Sequence, residues 1–180
     1  MVWASLMSDV LRILYVVGLG TNLGDRLAVL RSAVLALGPY GHVRRLSHVY
    51  ETPALGPPQP DYLNAAVLFD SGLPPRELLD ELLRIEQRHG RERRERWGPR
   101  TLDLDLLLSP GLTLEVPGLR LPHPELVRRP FALVPLLDVL PDACDEVSGA
   151  SYAELLAKLD PMPVRRVEIS EGWDPRSRAG

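Results

Sequence analysis

Cysteine is nearly absent from this chain of 180 residues: Cys144 stands alone. That excludes an intrachain disulfide framework and a cysteine-built zinc site, and it suits a reducing compartment. Lysine is as scarce, Lys158 being the single lysine among 21 basic residues, so arginine is the default cation and only its clustering is informative. No apolar run approaches the roughly 20 residues that a membrane span needs. Residues 1–10 lack the basic start and apolar stretch of a secretory signal, so a cytoplasmic protein without a membrane partner is expected. The phosphate-cradling pattern Gly-x-x-x-x-Gly-Lys-Ser/Thr does not occur, and any phosphate chemistry must therefore rest on arginine and metal. A net charge of −3 argues against a general binder of nucleic acid.

The residues that are present suit one globular domain. Apolar residues make up 45% and charged residues 25%, enough for a sizeable core with no room for a second catalytic domain. Residues 12–164 are expected to form that domain, with 1–11 a disordered leader, Met7 an alternative start, and 165–180 a C-terminal tail. Apolar periodicity predicts a strand at 13–19, punctuated afterwards by Gly18, Gly20 and Gly24. A helix follows, capped by Asp25, with Leu27, Leu30, Val34 and Leu37 on one face and Gly38 at its end. Strands at 43–50 and 63–69 flank a proline-rich loop from Pro53 to Pro60. Pro74-Pro75 opens a second helix with Leu78, Leu79, Leu82 and Ile85 on one stripe, and a strand carrying Asp103 and Asp105 comes next. This βαββαβ order is the ferredoxin-like α+β pattern, an antiparallel sheet with both helices packed on one face. Short helices at 124–127, 131–139 and 152–159 complete the chain, and 164–169 reads as a further strand or as a tail.

Chemistry concentrates in residues 96–107, Arg-Trp-Gly-Pro-Arg-Thr-Leu-Asp-Leu-Asp-Leu-Leu, at the end of a stretch with seven arginines between Arg84 and Arg100. On a strand, residues two apart share a face at roughly 6–7 Å spacing, so Asp103 and Asp105 converge while Leu102, Leu104 and Leu106 face away. Two uncompensated carboxylates repel and Asp is a poor strand former; Mg²⁺ shared with a polyphosphate would reconcile them. The plainer alternative is a solvated strand end with two stray acids, and Asp-x-Asp by itself does not choose between them. Gly18-x-Gly20-x-x-x-Gly24 misses the dinucleotide fingerprint by one residue and is read as a loop needing a permissive backbone. His42, His48 and His89 are scattered and read as surface or structural.

At 96–105 the sequence resembles the 6-hydroxymethyl-7,8-dihydropterin pyrophosphokinases of folate biosynthesis, which carry an Arg-Trp-Gly-Pro-Arg-x-x-Asp-x-Asp segment. Runs at 20–25 (Gly-Thr-Asn-Leu-Gly-Asp), 52–56 (Thr-Pro-Ala-Leu-Gly), 60–65 (Pro-Asp-Tyr-Leu-Asn-Ala), 84–86 (Arg-Ile-Glu) and 122–124 (Pro-His-Pro), then Arg129 and Phe131, agree in the same order. The resemblance covers about residues 13–142. It implies the ferredoxin-like fold and transfer of an intact pyrophosphoryl group from ATP, the co-substrate, to the primary hydroxyl of the pterin, with AMP leaving. Asp103 and Asp105 would hold two Mg²⁺ ions, and Arg91 and Arg100 would be catalytic. Glu86, Arg93 or its neighbour Arg94, Arg96, Leu106, His123 and Arg129 would contact ATP. Thr52, Pro53, Leu55, Tyr62, Asn64, Trp97 and Phe131 would form the pterin pocket, Tyr62 and Phe131 stacking on the ring and Asn64 reading its edge. A monomer acting on these two small molecules is expected. Pro124 departs from relatives that have tyrosine there. Two other readings use the same residues: an RNA-binding module on a ferredoxin-like sheet, its arginines tracking phosphates, and a metal-dependent nuclease. The acidic net charge and the lack of an aromatic-rich strand motif weigh against the first.

Overall fold

The computed structural model describes residues 11–90 and 98–178. β1 (Ile13–Thr21) is apolar along most of its length and lies inside the sheet. Asp25 accepts the Ala28 N–H at 3.0 Å, satisfying one of the free donors at the start of α1 (Arg26–Leu37). Gly38 does not end α1 through a left-handed cap: it stays right-handed and leads into a 3₁₀ turn, Gly38–Tyr40. The reversal falls at Gly41, where an added Cβ would stand 2.2 Å from the Asp70 carbonyl oxygen.

The single strand expected at 43–50 is two strands, β2 (His42–Leu46) and β3 (Tyr50–Thr52), both antiparallel to β4 (Tyr62–Ser71). Ser47 makes the break. Its N–H donates to the Ala66 carbonyl at 2.9 Å while its hydroxyl accepts the Ala66 N–H at 2.8 Å, so a side chain replaces a ladder carbonyl. α2 (Pro75–Arg88) opens on Pro75 and buries Leu78, Leu82 and Ile85 on its apolar stripe. β5 (Asp103–Leu108) then returns antiparallel to β1. Periodicity missed a small hairpin, β6 (Leu114–Val116) and β7 (Leu119–Leu121), turned at Gly118 with φ +76°. α3 (Pro130–Val139) and α4 (Tyr152–Ala157) follow. Of the two readings of 164–169, the strand is realised in part, as β8 (Arg165–Arg166) beside β3.

The main sheet is antiparallel throughout, in the order β5-β1-β4-β3-β8 with β2 also on β4. One face carries Val17, Leu19, Val67, Phe69, Leu104 and Leu106, which pack against Leu30 and Val34 of α1 and Leu78, Leu82 and Ile85 of α2. The expectation that helices cover one face holds for α1 and α2 only. Val16, Ala66, Leu68 and Leu107 on the other face pack against Leu133 and Leu136 of α3 and Tyr152 of α4. Sequence periodicity shows that α3 is apolar but not which side of the sheet it joins.

Candidate active site

Antiparallel register builds the site. Residues opposite one another in neighbouring strands share a face, and the pairs Tyr50↔Asn64, Asn64↔Gly20 and Gly20↔Asp103 run a single row across four strands. Gly18 lies opposite Asp105 and Ala66, and Thr52 opposite Tyr62. All lie on the face that α3 covers in part: its Asp138 accepts the Tyr50 hydroxyl, while the end at Thr52, Gly20 and Asp103 is left open. The uncovered end is a cleft of about 130 Å³, walled by Thr52, Pro53, Leu55 and Tyr62 on one side and by Arg100, Asp103, Asp105 and Arg129 on the other, with Phe131 in the first turn of α3 closing over it.

Glycine at 18 and 20 makes the floor, and the reason is space. Both lie inside β1 rather than in a turn; of the three glycines in that run, Gly24 alone takes a positive φ. A Cβ on Gly20 would sit 3.5 Å from Asn64 Oδ1, 3.7 Å from the Tyr62 ring and 3.9 Å from the Asp103 Cβ. Any longer side chain there would fill the gap between the polar edge of the cleft and its carboxylates.

The two aspartates are not the uncompensated pair that repulsion alone suggested. Arg100 donates to Asp103 at 2.6 Å and Arg129 lies 3.8 Å from Asp105. Burial works against the charge of Arg100, but Asp103, with smaller help from Tyr62 and Asp105, holds its pKa above the ordinary guanidinium value. Asn64 and Thr52 are both buried; the Asn64 amide donates to the Thr52 hydroxyl at 2.8 Å, so the Asn64 orientation is set before anything binds. The Arg129 guanidinium carbon lies 5.9 Å from the centre of the Phe131 ring, linking the cationic wall to the aromatic one.

Three assigned residues lie off the cleft. Glu86 is 1% exposed on α2 and accepts the Leu104 N–H at 2.7 Å, on the opposite face of the sheet. Leu106 points into that same core, leaving only its backbone for a ligand. His123 stands beyond β5, its N–H donating to the Leu107 carbonyl at 2.7 Å. Burial pushes the His123 pKa below the ordinary imidazole value and the charge of Arg129 pushes it the same way, so its Nδ1 can accept the Glu125 N–H at 3.2 Å. Arg91, Arg93, Arg94, Arg96 and Trp97 lie outside the described residues.

Asn22 is the residue that sequence reasoning passed over. It is 2% exposed and joins three loops: its Oδ1 accepts the Arg100 N–H at 2.8 Å, its own N–H donates to the Arg100 carbonyl at 3.1 Å, and its Nδ2 donates to Gln59 Oε1 and to the Pro60 carbonyl, each at 3.0 Å. An asparagine just after a strand within the Gly-Thr-Asn-Leu-Gly-Asp run was the available signal.

A sheet-borne cleft that sets paired carboxylates and arginines beside aromatic rings is of the kind found in enzymes that transfer phosphoryl groups between small molecules. A model of the 7,8-dihydro-6-hydroxymethylpterin-pyrophosphokinase family matches residues 16–141, and the chain belongs to that family. A 2-amino-4-hydroxy-6-hydroxymethyldihydropteridine pyrophosphokinase from Synechocystis sp. is 48% identical over 147 residues, 81% of this chain and 75% of that one. A protein of the same name from Methylorubrum extorquens is 44% identical, covering 84% and 96%. The crystal structure of Plasmodium falciparum HPPK-DHPS shares the fold with a TM-score of 0.64 at 16% identity; 82% of this chain is matched, which spans 44% of that longer one. Among the described residues no helix is long and apolar enough to cross a membrane.

Proposed function

We infer that this chain transfers an intact pyrophosphoryl group from ATP to the hydroxymethyl group of 6-hydroxymethyl-7,8-dihydropterin, giving AMP and the pterin diphosphate, a step of folate biosynthesis. The observation that carries this is the high identity to pyrophosphokinases over most of both chains. The same relatives leave the RNA-binding and nuclease readings without support.

The residue roles are proposals that the cleft geometry supports. A pterin is flat, so it needs stacking faces and a polar rim; Tyr62 and Phe131 offer the rings, and Thr52 and Asn64 a fixed edge. Asp103 and Asp105 are hard oxygen donors on one strand face above side-chain-free glycines, which suits Mg²⁺ bound by one or two carboxylates and by substrate phosphates. Two Mg²⁺ ions held there would neutralise charge on the polyphosphate. Arg100 and Arg129, now on the aspartates, can turn their planar forks onto phosphate oxygens once the carboxylates engage metal. The nucleotide is assigned to β5, an edge strand of the sheet, beside the Leu106 backbone and His123, with the buried Glu86 supporting that strand from behind through the Leu104 N–H. Arg91, Arg93 or its neighbour Arg94, Arg96 and Trp97 keep the roles that family resemblance implies.

We read the core as ferredoxin-like, with β2 and β3 together forming its second strand; the order β5-β1-β4-β3 supports this. A single domain over 12–164, onto whose sheet β8 and the residues after it pack instead of forming a loose tail, working as a monomer in the cytoplasm, completes the proposal. Purified protein given Mg²⁺, ATP and 6-hydroxymethyl-7,8-dihydropterin should release AMP and not ADP. Failure to release AMP with the authentic substrate would overturn the reading.

A further inference from the structure

The family match ends at residue 141, yet the chain beyond it is built into the sheet. Arg165 and Arg166 pair with Glu51 and Tyr50 along the edge of β3 that faces away from β4, and the Val167 N–H donates to the Val49 carbonyl at 2.8 Å. Further on, Trp173 is 8% exposed and its indole N–H donates to the Ser47 carbonyl at 2.8 Å, within the break between β2 and β3. The Gly172 carbonyl accepts from Arg31 of α1 at 2.8 Å, and Arg176 donates to the Val43 carbonyl of β2 at 2.5 Å. The segment therefore grips the chain before, within and beside β3.

β3 has three residues, and it delivers Thr52 and then Pro53 to the cleft. So short a strand, with one neighbour only, would fray at the sheet edge. Glu51 adds a second tie. It receives the Arg165 guanidinium from the C-terminal segment and that of Arg26, from the first turn of α1, at 2.9 Å. Arg26 also donates to the Asp61 carbonyl at 2.8 Å, directly before Tyr62. One group of charges thus joins the segment, α1, β3 and the entry to β4. Asp103 and Asp105 are three strands away on β5, beyond β4 and β1.

We propose that residues 165–178 form a strap that positions the pterin wall of the cleft, with Trp173 and Arg165 as positioning residues that act through β3 on Thr52 and its partner Asn64. This rests on the pyrophosphokinase reading above. The strap serves the flat substrate and not the nucleotide, because among the described residues it meets the cleft at β3, which carries Thr52, and through Glu51 and Arg26 at the entry to Tyr62, both on the pterin side.

The test uses the full chain with Trp173→Ala, Trp173→Phe and Arg165→Ala. For Trp173→Ala the KM for pterin should rise about tenfold, while kcat and the KM for ATP stay within about twofold of the parent. Trp173→Phe, which keeps the ring, should recover most of the loss. Without substrate, the Thr52 amide should exchange faster in Trp173→Ala than in the parent, and the amides of β5 should not. Equal rises in both KM values, or unchanged Thr52 exchange, overturns the proposal. A parent protein that releases no AMP overturns the pyrophosphokinase reading alone, since Thr52 exchange needs no substrate and still decides the strap. If Trp173→Ala does not fold, Arg165→Ala at the exposed edge strand provides the same two measurements.

Discussion

Replacing Asn22 with alanine should cost both stability and turnover, and the structure sets the size of each. The change removes the acceptor of the Arg100 N–H and the donor to Gln59 and the Pro60 carbonyl, at a position that is 2% exposed. A buried polar group left unpaired costs about 1–3 kcal/mol; the Arg100 N–H and the Pro60 carbonyl are only half-buried, so together they cost about 2–4 kcal/mol. Against a total of about 5–15 kcal/mol the variant still folds, with its melting temperature lower by roughly 5–15 °C. Turnover should fall further than stability suggests. Asn22 fixes the backbone on which the Arg100 guanidinium reaches Asp103, and a displacement of about 1 Å at a reacting group can cost about a hundredfold in rate. Thermal unfolding and AMP release on the same preparation check both effects. Asn22→Asp is the companion variant: it keeps an oxygen for Arg100 but sets an acceptor against the Pro60 carbonyl, so it should disturb pterin KM more than kcat. An alanine variant that melts with the parent and keeps its kcat would refute the account of Asn22 as the joint between the loops.

The other expectations follow from the same geometry. Asp103→Ala or Asp105→Ala should lower kcat by about a thousandfold, with stability within about 1 kcal/mol because each lost partner arginine remains partly solvated; a variant with near-parental turnover would make the pair structural. Tyr62→Ala and Phe131→Ala should each raise the pterin KM about tenfold and spare that for ATP, whereas equal losses for both substrates would indicate collapse of the cleft wall. Asp70 is buried, which raises its pKa, yet Arg12 and Arg44 outweigh that and hold it below the ordinary carboxylate value. A carboxylate with a depressed pKa adds stability above its unfolded pKa and loses it as pH falls through the folded one, so unfolding free energy should drop below about pH 4, with a shallower drop in Asp70→Asn.

The amino-acid sequence by itself determined the local elements and the list of chemistry-bearing residues. Asp25 caps α1, Pro75 opens α2, and Leu78, Leu82 and Ile85 of the apolar stripe are buried as their spacing demands, with Leu79 half-buried beside them, because these are effects of near neighbours on one helix. The period of two in Leu102-Asp103-Leu104-Asp105 placed the aspartates on one face for the same reason. What lies between elements was decided only in the tertiary structure. Ser47 splits a strand because its hydroxyl meets the Ala66 backbone, a contact across 19 positions that no window of sequence contains. Gly18 and Gly20 read as a flexible turn, although they are strand residues kept small by Asn64, Tyr62, Asp103 and Leu107 opposite them. Asn22 reads as one more loop polar residue until Arg100, 78 positions away, is brought to its side chain. Which end of the sheet stays open depends on where α3 docks, and an apolar helix with no polar face gives no direction of its own. Burial is a sum over neighbours from distant parts of the chain, so the cleft exists only once the register of four strands has been set.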